Sequence, residues 1–226
     1  MVQELQTPSC PRAASPAGTR RHKLSAHYRA LAWRILRMGN GSDLGQAIGI
    51  TGCARGAGAS TVAINVAVSA ARAGIGSVLL VDAAAGQRSC AHELGAEPTL
   101  GLADVSAGWA DPLECVAGCR VGNLSIVTTG SDKQRFDPGN FAEVLKVYQH
   151  RFKLVVLDLP EATETTPCFT LAGQLDGVIL VLEAERANGH AALRTKQQLE
   201  DAGARLVGVV LNKRPRYVPG WIYRRL

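Results

Sequence analysis

The sequence has little that would direct it into or across a membrane. None of its apolar runs approaches the ~18 residues that a transmembrane helix needs; the longest are residues 177–182 and 206–211. Basic residues near the start are not followed by the hydrophobic core of a signal peptide, so we expect a cytoplasmic protein. The six cysteines are scattered, which favours reduced thiols over a disulfide framework. Cys115 and Cys119 could share a helix face and bind metal, but no second ligand pair accompanies them.

Aromatic residues are also few, at 5% of 226 residues, and the basic residues are not interleaved with them as in a nucleic-acid reader. No nucleic-acid partner is expected. The net charge of +6 is uneven: residues 1–44 and residues 212–226 each carry +5, which leaves −4 for the middle of the chain. Basic ends around an acidic body predict either docking on an anionic surface such as a membrane, or two solvated tails.

A glycine-rich turn at residues 50–61 joins an apolar run to an amphipathic run. In such a turn, backbone N–H groups and a helix N-terminus converge on an anion. Against the motif G-x-x-x-x-G-K-[ST], the final glycine is Gly58 and the hydroxyl is Ser60, but the lysine position holds Ala59. A hydrogen bond to a charged group is worth about 1.5–3 kcal/mol, so nucleotide affinity should fall by roughly one to two decades. Phosphoryl transfer should lose more, because charge stabilisation supplies most of that catalysis.

Nearly unbroken apolar segments alternate with amphipathic ones along the rest of the chain. This pattern predicts an α/β fold with three layers, in which helices cover both faces of a mostly parallel sheet. The predicted strands are residues 47–51, 77–81, 124–128, 154–157, 177–183 and 206–211. The predicted helices are residues 60–73, 140–150, 167–175 and 187–202, with another around 112–117 in an irregular stretch at 85–122.

The chain divides into four parts by composition. Residues 1–24 have no apolar period and predict a disordered basic lead-in. Residues 25–40 predict an amphipathic helix with a basic side, ended by the glycines around Asn40. The α/β domain spans residues 45–213, and residues 214–226 form a basic tail that contains Tyr217 and Tyr223.

Ligands of such sheets bind beyond the carboxyl ends of the strands, so the glycine turn, Asp82 and Asp158 should converge in one crevice. The two aspartates have the charge and placement to hold Mg²⁺ and to orient a nucleophile; alternatively, each caps a following turn. The hydroxyl of Ser60 or Thr61 is suited to Mg²⁺, or it merely caps the helix.

The glycine turn itself has two interpretations as well. Gly56 and Gly58 permit close approach of the backbone to phosphate, or they form a simple strand-to-helix turn. Arg55 either replaces part of the missing charge or points to solvent, and Asn212 either binds a purine edge or belongs to a turn. The predicted nucleotide-binding residues are Arg55, Gly56, Ala57, Gly58, Ala59, Ser60, Thr61 and Asn212. The predicted metal ligands are Ser60, Asp82 and Asp158.

From Ile48 to Asn65 the sequence resembles the bacterial tyrosine kinase (BY-kinase) family of capsule and exopolysaccharide export, which is related to the MinD/ParA group. Residues 78–82 look like its Walker A′ strand and residues 155–160 like its Walker B strand, and the likeness extends over about residues 25–226. The resemblance implies a P-loop NTPase fold, ATP and Mg²⁺ as cofactors, and Tyr217 and Tyr223 as phosphorylation sites. It also implies oligomerisation through the N-terminal helix, with an inner-membrane chain-length regulator or export adaptor as partner.

The departures from the family pattern lie where chemistry would occur. Besides Ala59, the second acid of the Asp-x-Asp motif is Ala84, and the basic pair that usually follows is Gly86-Gln87. Of the Glu-x-x-Arg-x-x-Arg motif in the oligomerisation helix, only Arg29 is retained, between Ala26 and Ala32. Losses in separate motifs favour a naturally degenerate member over an engineered knock-out.

Three functional hypotheses follow. The leading one is a BY-kinase-like protein at the inner face of the plasma membrane, with ATP-dependent tyrosine autokinase chemistry impaired or lost. The second is an active kinase or ATPase in which Arg55 or a partner residue supplies the missing charge; Asp82 and Asp158 would then be catalytic. The third is a MinD/ParA-like positioning ATPase that dimerises with ATP, and it is weakened by Ala54 at the place of that group's signature lysine.

Overall fold

The computed structural model describes residues 26–38, 44–84, 90–96, 100–130, 137–162, 166–186 and 188–213. Within these residues, seven strands form one sheet in the order β3-β4-β2-β5-β1-β6-β7. The strands are β1 Gln46–Gly52, β2 Val78–Asp82, β3 Ala117–Gly118, β4 Leu124–Thr128, β5 Leu154–Asp158, β6 Gly177–Glu183 and β7 Leu206–Asn212. Only the pairing of β3 with β4 is antiparallel. The predicted mostly parallel sheet is confirmed.

Helices cover both faces of this sheet. They are α1 Ala26–Arg37, α2 Ala59–Arg72, α3 Cys90–Leu94, α4 Leu102–Ser106, α5 Phe141–Arg151, α6 Thr166–Ala172 and α7 Gly189–Asp201, with a 3₁₀ turn at Pro138–Asn140. Successive strand residues point to opposite faces. Leu154 and Val156 accordingly pack with α1, α2 and α3, whereas Val155 and Leu157 pack with α4, α5, α6 and α7. The three-layer architecture predicted from the apolar runs is therefore confirmed.

Helix α1 packs against α2 and contributes to the core. Ala32 and Ile35 are 0% and 1% exposed and belong to the same buried cluster as α2. Arg29 and Arg34 lie on the opposite, solvent-facing side, where Trp33 is also 51% exposed. The predicted amphipathic helix is confirmed, with its buried side facing α2.

The helix predicted around residues 112–117 is wrong. Residues 112–115 form turns, and Ala117 begins the short strand β3. The physical reason is Asp111, whose Oδ1 accepts a hydrogen bond from Leu113 N at 2.8 Å while its carbonyl accepts one from Glu114 N at 3.0 Å. An aspartate that bonds to the backbone two residues ahead stabilises a turn instead of a helix.

Several predictions concern residues that the structure does not describe. The lead-in at 1–24, the glycines at 39 and 41, the Gly86-Gln87 pair and the tail at 214–226 with Tyr217 and Tyr223 lie outside the described residues. Among the described helices, none has the length and apolar character required to cross a bilayer.

The burial of α1 gives a test of its role in stability. Ile35→Ala should lower the free energy of unfolding by about 2–5 kcal/mol, since it leaves a cavity in a packed core. Trp33→Ala, on the exposed side of the same helix, should change it by no more than about 0.5 kcal/mol. Urea unfolding followed by circular dichroism measures both variants. Equal effects of the two substitutions would show that α1 does not belong to the folded core.

Candidate functional site

The glycine loop lies between the end of β1 at Gly52 and the start of α2 at Ala59. Gly56 and Gly58 have φ angles of 81° and 94°, in the left-handed region that side chains strain. A Cβ at Gly58 would also collide with the side-chain amide of Asn212. Both glycines are therefore required by the shape of this loop.

Helix α2 begins without a side-chain cap, because its N-cap residue is Gly58. Ser60 and Thr61 lie in its first turn, so neither is the cap considered from the sequence. The first-turn N–H groups of a helix have no partners within the helix, and together with the helix dipole they favour an anion. This N-terminus faces the carboxyl edge of the sheet, where a phosphate group would be expected.

Two residues at the end of the last strand, Asn212 within β7 and Lys213 directly after it, hold the loop in place. Asn212 Nδ2 donates to the carbonyl of Ala57 at 2.9 Å, and Lys213 Nζ donates to the carbonyl of Gly56 at 2.6 Å. Lys213 also pairs with Glu183 Oε1 at 3.3 Å, at the end of β6. Asn212 was predicted as a purine ligand, and the structure places its amide on the loop. Lys213 was missed, although its position directly after a strand at this edge was a usable signal.

The segment after β5 hydrogen-bonds to the end of β1, where the glycine loop begins. Thr51 Oγ1 donates to the carbonyl of Pro160 at 2.6 Å, and Ala162 N donates to the carbonyl of Gly52 at 3.0 Å. Thr51 is 0% exposed. The loop is thus fixed at both its beginning and its turn by neighbouring strand ends.

Asp82 and Asp158 are direct neighbours, because β2 and β5 pair in parallel with these two residues in register. They are 5% and 1% exposed. Asp82 Oδ2 accepts from Cys90 N at 3.0 Å, so this aspartate caps α3 as well as facing the site. Asp158 Oδ2 accepts from Cys90 Sγ at 3.5 Å. The two carboxylates and the glycine loop do converge at one edge of the sheet.

Burial and, to a smaller extent, the charge of Asp82 raise the pKa of Asp158 to about 7, even though hydrogen bonds from Ser60 and Cys90 lower it. Its Oδ1 atom is buried and has no hydrogen-bond partner among the described residues. A buried carboxylate oxygen without a donor is a suitable cation ligand. Asp82, Asp158 and the Ser60 hydroxyl therefore fit Mg²⁺ by burial, charge and oxygen chemistry.

The positive charge normally expected at the start of α2 is missing. Ala59 is half-buried and packs against the core, and Arg55 is exposed on the loop. The arrangement can bind an anion through backbone dipoles and a cation through carboxylates.

A glycine loop between a strand and a helix, with two strand-end acids beside it, defines the P-loop NTPase class. Solved structures agree: the kinase domain of VpsO matches with a TM-score of 0.72 and 26% identity, covering 85% of this chain and 96% of that one. The cell division ATPase MinD of Pyrococcus furiosus matches with a TM-score of 0.68 and 23% identity, covering 80% and 79%, which shows the fold alone.

No family model matches the sequence. The tyrosine-protein kinase CpsD of Streptococcus pneumoniae serotype 4 is 30% identical over 199 residues, which cover 84% of this chain and 85% of the relative. The chain therefore belongs to the bacterial tyrosine kinase family within the MinD/ParA-like P-loop group. This confirms the resemblance that the motifs indicated.

The raised pKa of Asp158 predicts how stability depends on pH. The ordinary value is 3.8, and the folded protein binds the proton more tightly, with a pKa of about 7. The contribution of this carboxyl to stability is present in full at low pH and is lost as pH rises through about 7. Asp158→Asn should abolish this loss of stability. In the wild type the loss should exceed about 1 kcal/mol, because the pKa shift is larger than one unit and each unit corresponds to about 1.4 kcal/mol.

Urea unfolding at several pH values, with EDTA present throughout, measures this difference. Asp201→Asn, at the exposed end of α7, is the matched control and should follow the wild-type profile. An Asp158→Asn profile parallel to that of the wild type would contradict the assignment.

Proposed function

We propose that this chain is a member of its family that serves capsule or exopolysaccharide biosynthesis or export, with tyrosine autokinase chemistry impaired or lost. The single observation behind the proposal is Ala59. It occupies the first position of α2 and packs against the core, in a loop whose shape is otherwise complete. A loop that has the shape of a phosphate-binding loop but lacks the lysine is better suited to nucleotide binding than to phosphoryl transfer.

The remaining residues support a nucleotide ligand, ATP with Mg²⁺. Backbone N–H groups of residues 56–61 would receive the phosphates at the N-terminus of α2. Asp82, Asp158 and Ser60 would hold the metal, whose chemistry is to neutralise charge on the phosphate oxygens. Asn212 keeps the loop in this conformation through its bond to Ala57. None of these contributions requires a lysine at position 59.

The loss of the lysine charge should affect phosphoryl transfer more than nucleotide binding. Backbone dipoles act on a phosphate in the ground state, whereas a lysine at this position stabilises charge that develops during transfer. Binding should therefore be weakened and transfer nearly abolished. This difference is what separates a nucleotide-modulated adaptor from a kinase.

The proposed partner is an inner-membrane polysaccharide chain-length regulator or export adaptor. The basic regions at residues 1–44 and 212–226, each +5, support a peripheral location against an anionic membrane face. Homo-oligomerisation through α1 is also proposed, supported by Arg29 on the exposed side of that helix. It should be weak, because Ala26 and Ala32 replace the other charged positions of the motif and Ala32 is buried.

A second candidate is an active kinase or ATPase whose missing charge comes from elsewhere. The observation that favours it is Lys213, whose Nζ lies 2.6 Å from the Gly56 carbonyl within the loop. The side chain is 47% exposed, so its amine could reach a ligand at the loop surface. Arg55, the source considered from the sequence, is also exposed on the loop.

Restoring the lysine tests the leading proposal. Ala59→Lys should tighten ATP binding by roughly 10- to 100-fold, since it restores one hydrogen bond to a charged group. Isothermal titration with ATP and Mg²⁺ measures this change, and Ala59→Met is the control for side-chain length. A phosphotyrosine assay should find no modification of Tyr217 or Tyr223 in the wild type. Robust autophosphorylation of either tyrosine would overturn the impaired-kinase proposal.

Replacing Lys213 separates the two candidates. Lys213→Met keeps the length of the side chain and removes its charge. If Lys213 supplies the missing cation, wild-type ATP turnover is measurable and this variant should lower it by at least about tenfold, as loss of a charged hydrogen bond predicts. If the leading proposal holds, the wild type already has no turnover to lose. Arg55→Ala, assayed in parallel, identifies the other potential donor.

A further inference from the structure

A thiol from helix α3 lies beside the two carboxylates. Cys90, the first residue of α3, is 1% exposed and lies against both Asp82 and Asp158. One ligand atom from each of these three residues lies within 4.8 Å of the other two. Mg²⁺ takes oxygen ligands in octahedral geometry, so the thiol would not be a ligand of a magnesium ion at this site. The thiol therefore points to a different ion.

The distance between the thiol sulfur and one carboxylate oxygen matches a tetrahedral centre. Bond lengths of about 2.3 Å to thiolate sulfur and about 2.0 Å to carboxylate oxygen place the two ligand atoms about 3.5 Å apart. The distance from Cys90 Sγ to Asp158 Oδ2 is 3.5 Å. The pair is therefore spaced for a shared metal without movement of the backbone.

A second observation also indicates a cation. Asp158 is 1% exposed, and its Oδ1 atom is buried without a hydrogen-bond partner among the described residues. An orphaned carboxylate oxygen is costly in a protein interior unless an ion or a water molecule satisfies it. This oxygen belongs to the residue that contacts the thiol, so both features indicate the same place.

We propose that Asp82, Cys90 and Asp158 form a binding site for a zinc-class divalent cation that is occupied without nucleotide. Thiolate ligands select zinc over magnesium, and three protein ligands leave the fourth position of a tetrahedral ion open. Binding forms a sulfur–metal bond while the thiol proton passes to solvent, and no electrons are transferred. The bound ion would compete with Mg²⁺ for the same carboxylates.

Cobalt(II) alone, in place of zinc, gives a direct readout. Full-length protein freed of metal by a chelator and titrated with Co²⁺ should develop the near-ultraviolet band of thiolate-to-cobalt charge transfer. Cys90→Ala should lose this band, whereas Cys119→Ala, which removes a buried thiol elsewhere in the core, should keep it. Zinc affinity, measured by competition with a chromophoric chelator, should fall at least about tenfold in Cys90→Ala, because losing even a residue that only orients a ligand costs that much.

The absence of the band in the wild type, or its persistence in Cys90→Ala, would overturn the proposal. Cys90→Ser repeats the test should the alanine variant fail to fold by circular dichroism. Asp158→Asn should also weaken zinc binding, and an unchanged affinity there would contradict the role of the carboxylate. ATP titration is independent of these outcomes, so a failed metal site leaves the nucleotide proposal intact.

Discussion

The parallel pairing of β5 between β1 and β2 is the constraint on which the site depends. Because Asp158 pairs with Ile50 on one side and with Asp82 on the other, both carboxylates lie beside the glycine loop. Four apolar residues precede Asp158 in β5, and burial of both sheet faces fixes their register. A shift by one residue would turn Asp158 away from Asp82. The chemistry of this protein is therefore set by a register that hydrophobic burial enforces.

Two adjacent buried carboxylates are unfavourable unless other groups offset their charge. The N–H and thiol of Cys90 and the hydroxyl of Ser60 offset it in part. Burial is the main cause of the raised pKa of Asp158, and the remaining repulsion from Asp82 adds to it. In a P-loop with its lysine, a fixed positive charge would stand near this pair. With Ala59 the local potential is more negative, so the site becomes less favourable for a phosphate and more favourable for a cation. The proposed weakening of nucleotide binding and the proposed metal site are thus two expected consequences of one missing charge.

Much of the fold could be predicted from the sequence because its strands are continuous apolar runs. The runs before Asp82 and Asp158 were sufficient to place both residues at strand ends, and the general rule for parallel sheets placed them in one crevice. The glycine loop could be predicted equally well, since its tight turn needs positive φ angles that few residues other than glycine tolerate, and Gly56 and Gly58 have such angles. The motifs also indicated the family, which sequence similarity to CpsD confirms.

The part that could not be predicted lies in residues 85–122. Helices α3 and α4 are five residues each, too short to show a helical period. The position of Cys90 depends on a contact across 68 residues to Asp158, which no local pattern encodes. The hydrogen bond from Lys213 to Gly56 likewise spans 157 residues, although the position of Lys213 directly after a strand was a signal that it lies at this edge. Side chains that enter a site from distant elements are visible only in three dimensions.

The shape of the glycine loop and its charge have separate physical origins here. Its shape comes from two left-handed glycines and from bonds donated by Asn212, Lys213 and Ala162, none of which involves position 59. Removing a lysine from such a loop deletes an electrostatic contribution without releasing the backbone. Under the proposed function, anion binding by the N-terminus of α2 would persist at reduced strength, while the transition state of phosphoryl transfer would lose a fixed positive charge. Under the proposed function, this separation of shape from charge is what allows the glycine loop to keep binding an anion after the lysine is lost.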